Sequence, residues 1–211
     1  AWVLHILSHL KLSDGVAGFL LANGALNDSD TLEIRKKLIQ KDKVESIIVL
    51  PRELFITTDI SVTLWILNQN KKGGNYHNRK LRNREHEFLF MDLRQWTENP
   101  VRGESKKKVQ LVTKQIEKAS DIYHTWQCDG TDGKNYEIPE LYRSVSIEEI
   151  ERKGWTLTPS KYIEFVDHDL DINYEKEMAR IQSEMKEIME QEKKSQLMLK
   201  DAFREIGYGI D

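Results

Sequence analysis

The sequence contains little of what defines several common classes of protein. Its 211 residues include a single cysteine, Cys128, which excludes an internal disulfide and gives no sign of an oxidising compartment. No apolar run approaches the roughly 20 residues that a membrane-spanning helix needs. No secretory signal is visible, since Ala1 begins inside a stretch of helical periodicity without an initiator methionine. We predict a cytoplasmic protein rather than a membrane protein, and we interpret the chain as a candidate fragment.

The charge balance excludes a chain that is basic throughout, but it allows a basic patch. Lysine and arginine number 32 against 35 acidic residues, which gives a net charge of -3. Residues 70–85 nevertheless predict a flexible basic loop, because Gly73 and Gly74 lie among six cations with no acidic residue between the first and the last of them. Such a loop either binds nucleic-acid phosphates or is simply solvated. The candidates for contact with the DNA backbone are Lys71, Lys72, Arg79, Lys80, Arg82 and Arg84.

Residues 15–67 predict the end of an α/β sheet. Val16–Ala22 is apolar without alternation, which is typical of a strand covered on both faces in the middle of a parallel sheet. A helix over about residues 31–41, capped by Asp28 or Ser29, connects it to a second apolar strand at Val44–Leu50. The segment 51–59 is too short for a crossover helix, so a third strand at Ile60–Leu67 is expected to return antiparallel. A mainly parallel sheet with one late antiparallel strand results.

The remainder predicts one more strand and several helices. Residues 87–93 are expected to form an edge strand, and residues 108–127 a helix. Ser146 is expected to cap a short helix that ends at Gly154.

A long helix is expected from residue 173 to 206. Its apolar residues follow a heptad pattern, a seam that such a helix cannot bury alone, so it docks either on a partner or on its own globular domain. The residues of this seam that we assign to partner docking are Met178, Ile181, Met185, Ile188, Leu199 and Ile206.

A metal site and a cysteine nucleophile are not predicted. His5 and His9 are four residues apart, but no third ligand is suggested. Asp167, His168 and Asp169 are explained by a charged turn before the last helix. Cys128 has no basic neighbour that would lower its pKa.

Several separated segments together carry a family resemblance. They are GVAGFLLANGAL, EIRKKLI, VESIIVLPRELFITTDISVTLWILNQNK, Ser120–His124, Gly154–Pro159 and Ile206–Ile210. In content and order they resemble the modification subunit of type I restriction-modification systems, a family of adenine-specific DNA methyltransferases that use S-adenosylmethionine. The resemblance covers nearly the whole chain.

The resemblance implies the C-terminal part of a Rossmann-like methyltransferase sheet, with its last three strands and the final one antiparallel, followed by a helical extension. Residues 1–95 would complete the α/β domain, 96–172 would form an irregular and helical extension, and 173–211 the subunit-docking helix. DNA and the specificity and restriction subunits would be the partners. The family's glycine-rich cofactor loop and Asn-Pro-Pro-Phe or Tyr motif occur nowhere in the chain. No catalytic residue is therefore assigned, and the chain alone is expected to be inactive.

The substrate-pocket candidates are Asn23, Gly24 and Phe55. Ligands of open α/β sheets bind at the carboxyl ends of parallel strands, where Asn23, Gly24 and the loop 51–59 are expected. A base methyltransferase must hold its flipped base against an aromatic or apolar face, and the resemblance places such a ring near Phe55. The alternatives are an ordinary turn at Asn23-Gly24 and a packing role for Phe55. Two hypotheses follow, a piece of a methyltransferase that needs its upstream half, or a non-catalytic module, truncated or split, that docks to the specificity subunit.

Overall fold

The computed structural model describes residues 2–55, 58–76, 78–96, 100–102, 107–166, 174–205 and 207–208. The chain forms two compact units, Ala1–Val166 and Asp167–Asp211. The helices are α1 (Trp2–His9), α2 (Leu32–Gln40), α3 (Thr113–Gln127), α4 (Ile147–Arg152) and α5 (Tyr174–Glu205). The strands are β1 (Val16–Ala22), β2 (Val44–Val49), β3 (Val62–Asn68), β4 (Gly74–Tyr76), β5 (Arg79–Leu81), β6 (Glu87–Asp92), β7 (Pro100–Arg102), β8 (Lys107–Val109), β9 (Glu137–Ile138) and β10 (Tyr142–Ser146).

The first unit is built on a six-stranded sheet with the order β1-β3-β2-β6-β10-β9. β3 lies between β1 and β2 and runs antiparallel to both. β2 and β6 form a parallel pair, whereas β6, β10 and β9 pair antiparallel in turn. The mixed α/β class is as expected, but the expectation of a mainly parallel sheet is wrong, because β3 separates the two strands that the α2 crossover makes parallel.

Two predicted strand positions are also corrected. β1 was expected to be covered on both faces, but it occupies one end of the six-stranded sheet and alternates between exposed and half-buried residues, with Val16 and Leu20 exposed. β6 was expected at an edge, but it lies between β2 and β10, and all but its first residue are buried. The apolar content of a single strand therefore did not distinguish an outer from an inner position.

The observed helix starts differ from the predicted ones in α3 and α2. α3 begins at Thr113 because residues 107–109 pair with β7 instead of extending the helix. α2 has Thr31, not Asp28 or Ser29, at its N-cap position, and no side chain caps it. The Asp28 carboxylate instead accepts a hydrogen bond from the Asp30 amide at 3.0 Å. Ser146 does occupy the N-cap position of α4, although its side chain makes no capping hydrogen bond.

The sheet buries apolar side chains on both of its faces. Adjacent residues of a strand point to opposite sides, so Ile47 and Phe90 belong to one cluster while Ile48 and Met91 belong to the other. The first cluster is closed by α2 and α4 and includes a stacked pair, Phe90 and Tyr162, with ring centroids 4.5 Å apart. The second is closed by α3 through Ile122 and Trp126. Both faces of the sheet are thus occupied, which leaves its two strand-end edges as places for a site.

The second unit is described as one helix, α5, of 32 residues. None of its residues is buried, and an Arg180 side chain flanked by Glu177 and Glu184 illustrates its charged surface. Within the described ranges no helix is both long enough and apolar enough to cross a bilayer.

Candidate functional site

The carboxyl ends of β1, β2 and β6 lie at the same edge of the sheet. Ala22 pairs with Val62 at the start of β3, and the neighbouring Thr63 pairs with Val49 at the end of β2. Val49 in turn pairs with Asp92 at the end of β6. The segments that follow these strands, and with them the three substrate-pocket candidates, therefore share what we call the carboxyl edge.

Asn23 and Gly24 start a short 3-10 helix immediately after β1. Both are exposed, and the Gly24 carbonyl accepts the amide hydrogens of Asn27 and Asp28 at 3.1 and 2.9 Å. A Cβ on Gly24 would meet no atom within 4 Å. Backbone hydrogen bonds within the turn thus hold its conformation, and its outer surface is open to a ligand.

Phe55 lies in the loop between β2 and β3. It is half-buried and packs against the second core cluster, while its backbone forms an isolated bridge with Thr58. The Val109 amide donates to the Glu53 carbonyl at 3.3 Å, which attaches the β7-β8 hairpin to this loop. Phe55 therefore combines a packing contact with partial exposure at the carboxyl edge.

An ion pair at the end of β6 was not found from the sequence. The Arg94 guanidinium donates to both oxygens of the buried Asp92 carboxylate, with Nε at 2.9 Å from Oδ1 and Nη2 at 2.5 Å from Oδ2. The hydrogen bond that Arg94 donates to the Asp92 carboxylate raises the pKa of Arg94. A signal was present, since an Asp-x-Arg sequence directly follows a buried strand that ends at this edge.

The basic segment 71–84 lies at the opposite end of the strands. Lys71 Nζ donates to the carbonyls of Val44, the first residue of β2, and Glu87, the first of β6, at 3.1 and 2.7 Å. It also pairs with Asp42 at 2.6 Å and lies 4.2 Å from the Phe88 ring centroid. Burial lowers the pKa of Lys71. We call this side of the sheet the amino edge.

Three of the six DNA-backbone candidates bind within the protein instead of projecting from a solvated loop, which corrects that expectation for them. Lys71 is buried as described, and Arg84 Nε, fully buried, lies 3.0 Å from Glu45 Oε1. Arg82 Nε donates to the Trp126 carbonyl at 2.7 Å, and its Nη2 lies 2.8 Å from Glu87 Oε2. The reason is that three acidic residues, Asp42, Glu45 and Glu87, lie at or just before the starts of β2 and β6 and pair with these cations.

The other three candidates, Lys72, Arg79 and Lys80, remain accessible. Lys72 and Lys80 are exposed, and Lys80 pairs with Asp129 at 2.6 Å, which raises its pKa. Arg79 is half-buried and donates from Nη2 to Gln127 Oε1 at 3.3 Å. Arg79 and Lys80 belong to the β4-β5 hairpin, so this part of the segment is ordered rather than a flexible loop.

Glu45 organises the inner side of the amino edge. Its buried carboxylate receives hydrogen bonds from four side chains, which belong to β3, α3 and the loop before β6. The donors and distances are Tyr123 Oη at 2.7 Å, Asn68 Nδ2 at 2.8 Å, Arg84 Nε at 3.0 Å and Gln127 Nε2 at 3.2 Å. Burial, followed by the Glu45 charge, raises the pKa of Tyr123. The only sequence signal was a glutamate inside the apolar strand β2.

The histidines and the cysteine make ordinary local contacts. His9 Nδ1 lies 2.8 Å from the His5 carbonyl, and the two rings are 4.4 Å apart. Over the part of the chain that the structure covers, no three His, Cys, Asp or Glu residues come together as a metal site. Cys128 is half-buried and forms a backbone bridge with Leu81.

The apolar seam of α5 is exposed where it is described. Met178, Ile181, Met185, Ile188 and Leu199 all have exposed side chains, from 38% for Met178 to 64% for Ile188. Ile206 and the charged segment Asp167–Asp169 lie outside the described residues.

Comparisons with known proteins agree on one family. At 31% identity, the chain is similar over 99% of its length to the HindI methylase subunit, a type I restriction enzyme subunit of Haemophilus influenzae, and covers 43% of it. It is 28% identical over 98% of its length to the MjaIX methylase subunit of Methanocaldococcus jannaschii and covers 35% of that protein. The chain thus spans less than half the length of these relatives.

Solved structures show the same fold. A type I methyltransferase subunit from Streptococcus thermophilus superimposes with a TM-score of 0.59 at 24% identity, over 77% of this chain and 30% of that one. A chain of a type I restriction-modification assembly gives a TM-score of 0.54 at 17% identity, over 93% and 38%. The resemblance drawn from the sequence is confirmed. Because the model of the N-6 DNA Methylase family also matches residues 1–170, this chain belongs to the N-6 DNA methylase family.

Proposed function

We propose that the chain is the C-terminal part of the modification subunit of a type I restriction-modification system. The whole subunit would transfer a methyl group from S-adenosylmethionine to the amino group of adenine in DNA. The observation that carries the proposal is the match to the methylase family over residues 1–170, combined with relatives of which the chain spans only part.

The carboxyl edge would form one wall of the base pocket. Open α/β sheets bind ligands at this edge, and a flipped adenine needs an aromatic or apolar face with polar groups beside it. Phe55 offers the ring, and the exposed Asn23-Gly24 turn offers a side-chain amide and an uncrowded backbone.

S-adenosylmethionine would be held outside this chain. The described carboxyl edge carries no glycine-rich loop, and the one buried carboxylate that we find at its strand ends, Asp92, is already bound by Arg94 on both oxygens. These residues do not fit a cofactor site, so we assign the chain no cofactor ligand and no catalytic residue. The upstream half of the subunit would supply both.

DNA would lie across the carboxyl edge of the completed domain. Lys72, Arg79 and Lys80 remain candidates for phosphate contacts, but they lie at the amino edge, on the far side of the sheet from Phe55. They would therefore contact a part of the DNA away from the flipped base. The specificity and restriction subunits would be the protein partners, and the exposed seam of α5 would dock to the specificity subunit.

A reconstituted complex tests the proposal. The chain, the upstream half and the specificity subunit are combined, and methyl transfer to a target duplex is measured. We expect activity that requires all three parts. Lack of transfer in a complex shown to assemble and to bind both DNA and S-adenosylmethionine would rule out the proposal.

Variants of Phe55 test its part in the base pocket. Phe55→Leu retains apolar packing but removes the ring, and we expect about a tenfold loss of methyl transfer with unchanged assembly, since base stacking is worth about 1–3 kcal/mol. The exposed Phe165 provides a matched control, because Phe165→Leu makes the same chemical change elsewhere. Equal activity of the two variants would assign Phe55 to packing alone.

The second candidate function is a non-catalytic module that docks to the specificity subunit. The exposed heptad seam of α5 favours it, because docking requires nothing from the upstream half. Binding of the specificity subunit with no methyl transfer in any reconstitution would favour this function.

A further inference from the structure

One opening at the amino edge is a cavity of about 370 Å³ between the β4-β5 hairpin, α3 and the end of β3. Its lining includes Asn68, Tyr76, Arg79, Tyr123 and Gln127. It lies at the opposite edge of the sheet from Asn23, Gly24 and Phe55, and of its lining only Arg79 has a role in the proposed function, as a candidate for phosphate contact.

The floor of this cavity is rigidly held. Asn68, Tyr123 and Gln127 each donate a hydrogen bond to the one buried carboxylate of Glu45, at 2.8, 2.7 and 3.2 Å. Because Arg84 also fixes that carboxylate, none of the three side chains can turn without breaking a buried charge-assisted bond. A site built on such a floor is ordered before a ligand arrives, which reduces the entropy lost on binding.

Arg79 brings an uncompensated positive charge to the cavity wall. Its one hydrogen bond within the described chain runs to Gln127 Oε1 at 3.3 Å, and no carboxylate there lies within ion-pair distance. Desolvation, followed by the charge of Arg79, lowers the pKa of His124. Half-buried arginines are normally matched by an anion, since their desolvation is otherwise unrepaid.

A second cavity of about 390 Å³ continues from the first, because Ser13 and Asn70 line both. Lys41, Lys43 and Lys72 line the second cavity. The acidic groups that face the pair of cavities are Asp14, Asp42 and Glu85. Lys71 pairs with Asp42 and Lys11 with Asp14, so the four remaining cations, counting Arg79, exceed the remaining acid.

We propose that these two cavities form a binding site for a chain of phosphate groups, with Arg79 and Lys72 as its principal ligands. Arginine presents a planar fork of donors that matches phosphate oxygens, and lysine adds a mobile point charge. A row of phosphates, unlike a single carboxylate, reaches from one cavity to the other. The phosphates belong either to a free polyphosphate or nucleotide or to a nucleic-acid strand.

Titration of the full chain with sodium tripolyphosphate, and separately with a single-stranded oligonucleotide of about ten nucleotides, tests the site. We expect saturable binding of at least one probe with one site per chain. Arg79→Gln and Lys72→Gln should each weaken it about tenfold, the usual effect of losing a charged hydrogen-bond partner. Lys37→Gln removes the same charge from the exposed surface of α2, outside both cavities, and should change affinity less than about twofold.

The two probes distinguish the sources of the phosphate. Saturable tripolyphosphate binding that Arg79→Gln weakens indicates a free phosphate compound, whereas binding of the oligonucleotide alone indicates a strand. Thermal melting confirms that each variant is folded, and Arg79→Lys, which keeps the charge but not the fork, should bind with intermediate affinity. The proposal is overturned if neither probe saturates, or if Lys37→Gln weakens binding as much as Arg79→Gln does. Neither result depends on methyl transfer.

Discussion

Glu45, the second residue of β2, carries a carboxylate into a strand in which every residue is buried. Charge in such a place is tolerated only because Arg84 is equally buried beside it and three neutral donors complete the coordination. The arrangement fixes residues from β3, α3 and the loop before β6 relative to β2. At the residue scale, then, one acidic side chain determines the geometry of the whole amino edge.

Glu45→Gln tests this dependence. The amide would leave the Arg84 charge uncompensated and would turn an N–H group toward existing donors, so we expect a loss of about 3–5 kcal/mol in the free energy of unfolding. Urea denaturation measures the loss. Glu33→Gln, on the exposed first turn of α2, should cost less than about 1 kcal/mol. A similar small cost for both substitutions would contradict the assigned role of Glu45.

Gly73 is required where the chain approaches β5. Its φ is +88°, and an added Cβ would lie 2.6 Å from the Arg82 carbonyl oxygen. Gly130 has nearly the same φ, +87°, but a Cβ there would meet nothing within 4 Å. Gly130→Ala should therefore cost about 1 kcal/mol for the left-handed backbone alone.

Gly73→Ala adds the steric overlap, and we expect it to cost about 2 kcal/mol more than Gly130→Ala. Denaturant melts of the two variants give the difference directly. Equal costs would show that the backbone of Arg82 moves away without penalty.

At the scale of single elements, an ion pair between side chains connects α4 to β10. The Glu149 carboxylate lies 3.1 Å from Arg143 Nη1 and 2.9 Å from Lys153 Nζ. Burial raises the pKa of Glu149, but the hydrogen bond from Lys153 and the charge of Arg143 outweigh it, so the pKa falls below its ordinary 4.5. A carboxyl group with a depressed pKa stabilises the folded state above its unfolded pKa, and this stabilisation is lost as pH falls through the folded value.

The free energy of unfolding should therefore decrease as pH is lowered from about 4.5, and less steeply in Glu149→Gln than in the unchanged chain. Urea melts across this range measure both slopes. Glu151→Gln, on the exposed side of the same helix, should retain the full slope. If Glu149→Gln and the unchanged chain lose stability in parallel, the ion cluster does not hold α4.

The sequence predicts which segments form helices and strands better than it predicts which strands pair with one another. A short connection determines the relative direction of two strands. The segment 51–59 is too short for a crossover helix, so β3 pairs antiparallel with β2. The position of a strand in a sheet depends on which other strands pair with it. The sequence of β6 alone predicts an edge strand, because its partner β10 lies more than fifty residues later in the chain. Likewise six cations within residues 71–84 predict a basic surface, yet Lys71 and Arg84 are buried because Asp42 and Glu45 lie opposite them. Partners that are remote in sequence cannot be read from local composition.

On the scale of the whole molecule, the two edges of the sheet differ in chemistry. The carboxyl edge combines the open Asn23-Gly24 turn, the Phe55 ring and a carboxylate that is already paired. The amino edge combines an excess of cations with a rigid hydrogen-bonded floor. Both faces between them are filled by apolar packing. One sheet thus provides two separate places for ligands, which substitutions at either edge should affect independently.

The two compact units lead to a last prediction. α5 has no buried residue, so it gives its own unit little apolar stabilisation. Removal of residues 167–211 should leave the first unit folded, because both core clusters of that unit are formed by its own residues. Binding to the specificity subunit should disappear at the same time.

In the full chain, Ile181→Gln with Ile188→Gln should abolish binding too, whereas Lys186→Gln with Lys193→Gln, off the seam, should preserve it. Calorimetry and pull-down assays measure the two effects, and a truncated chain that still binds would place the docking surface on the first unit.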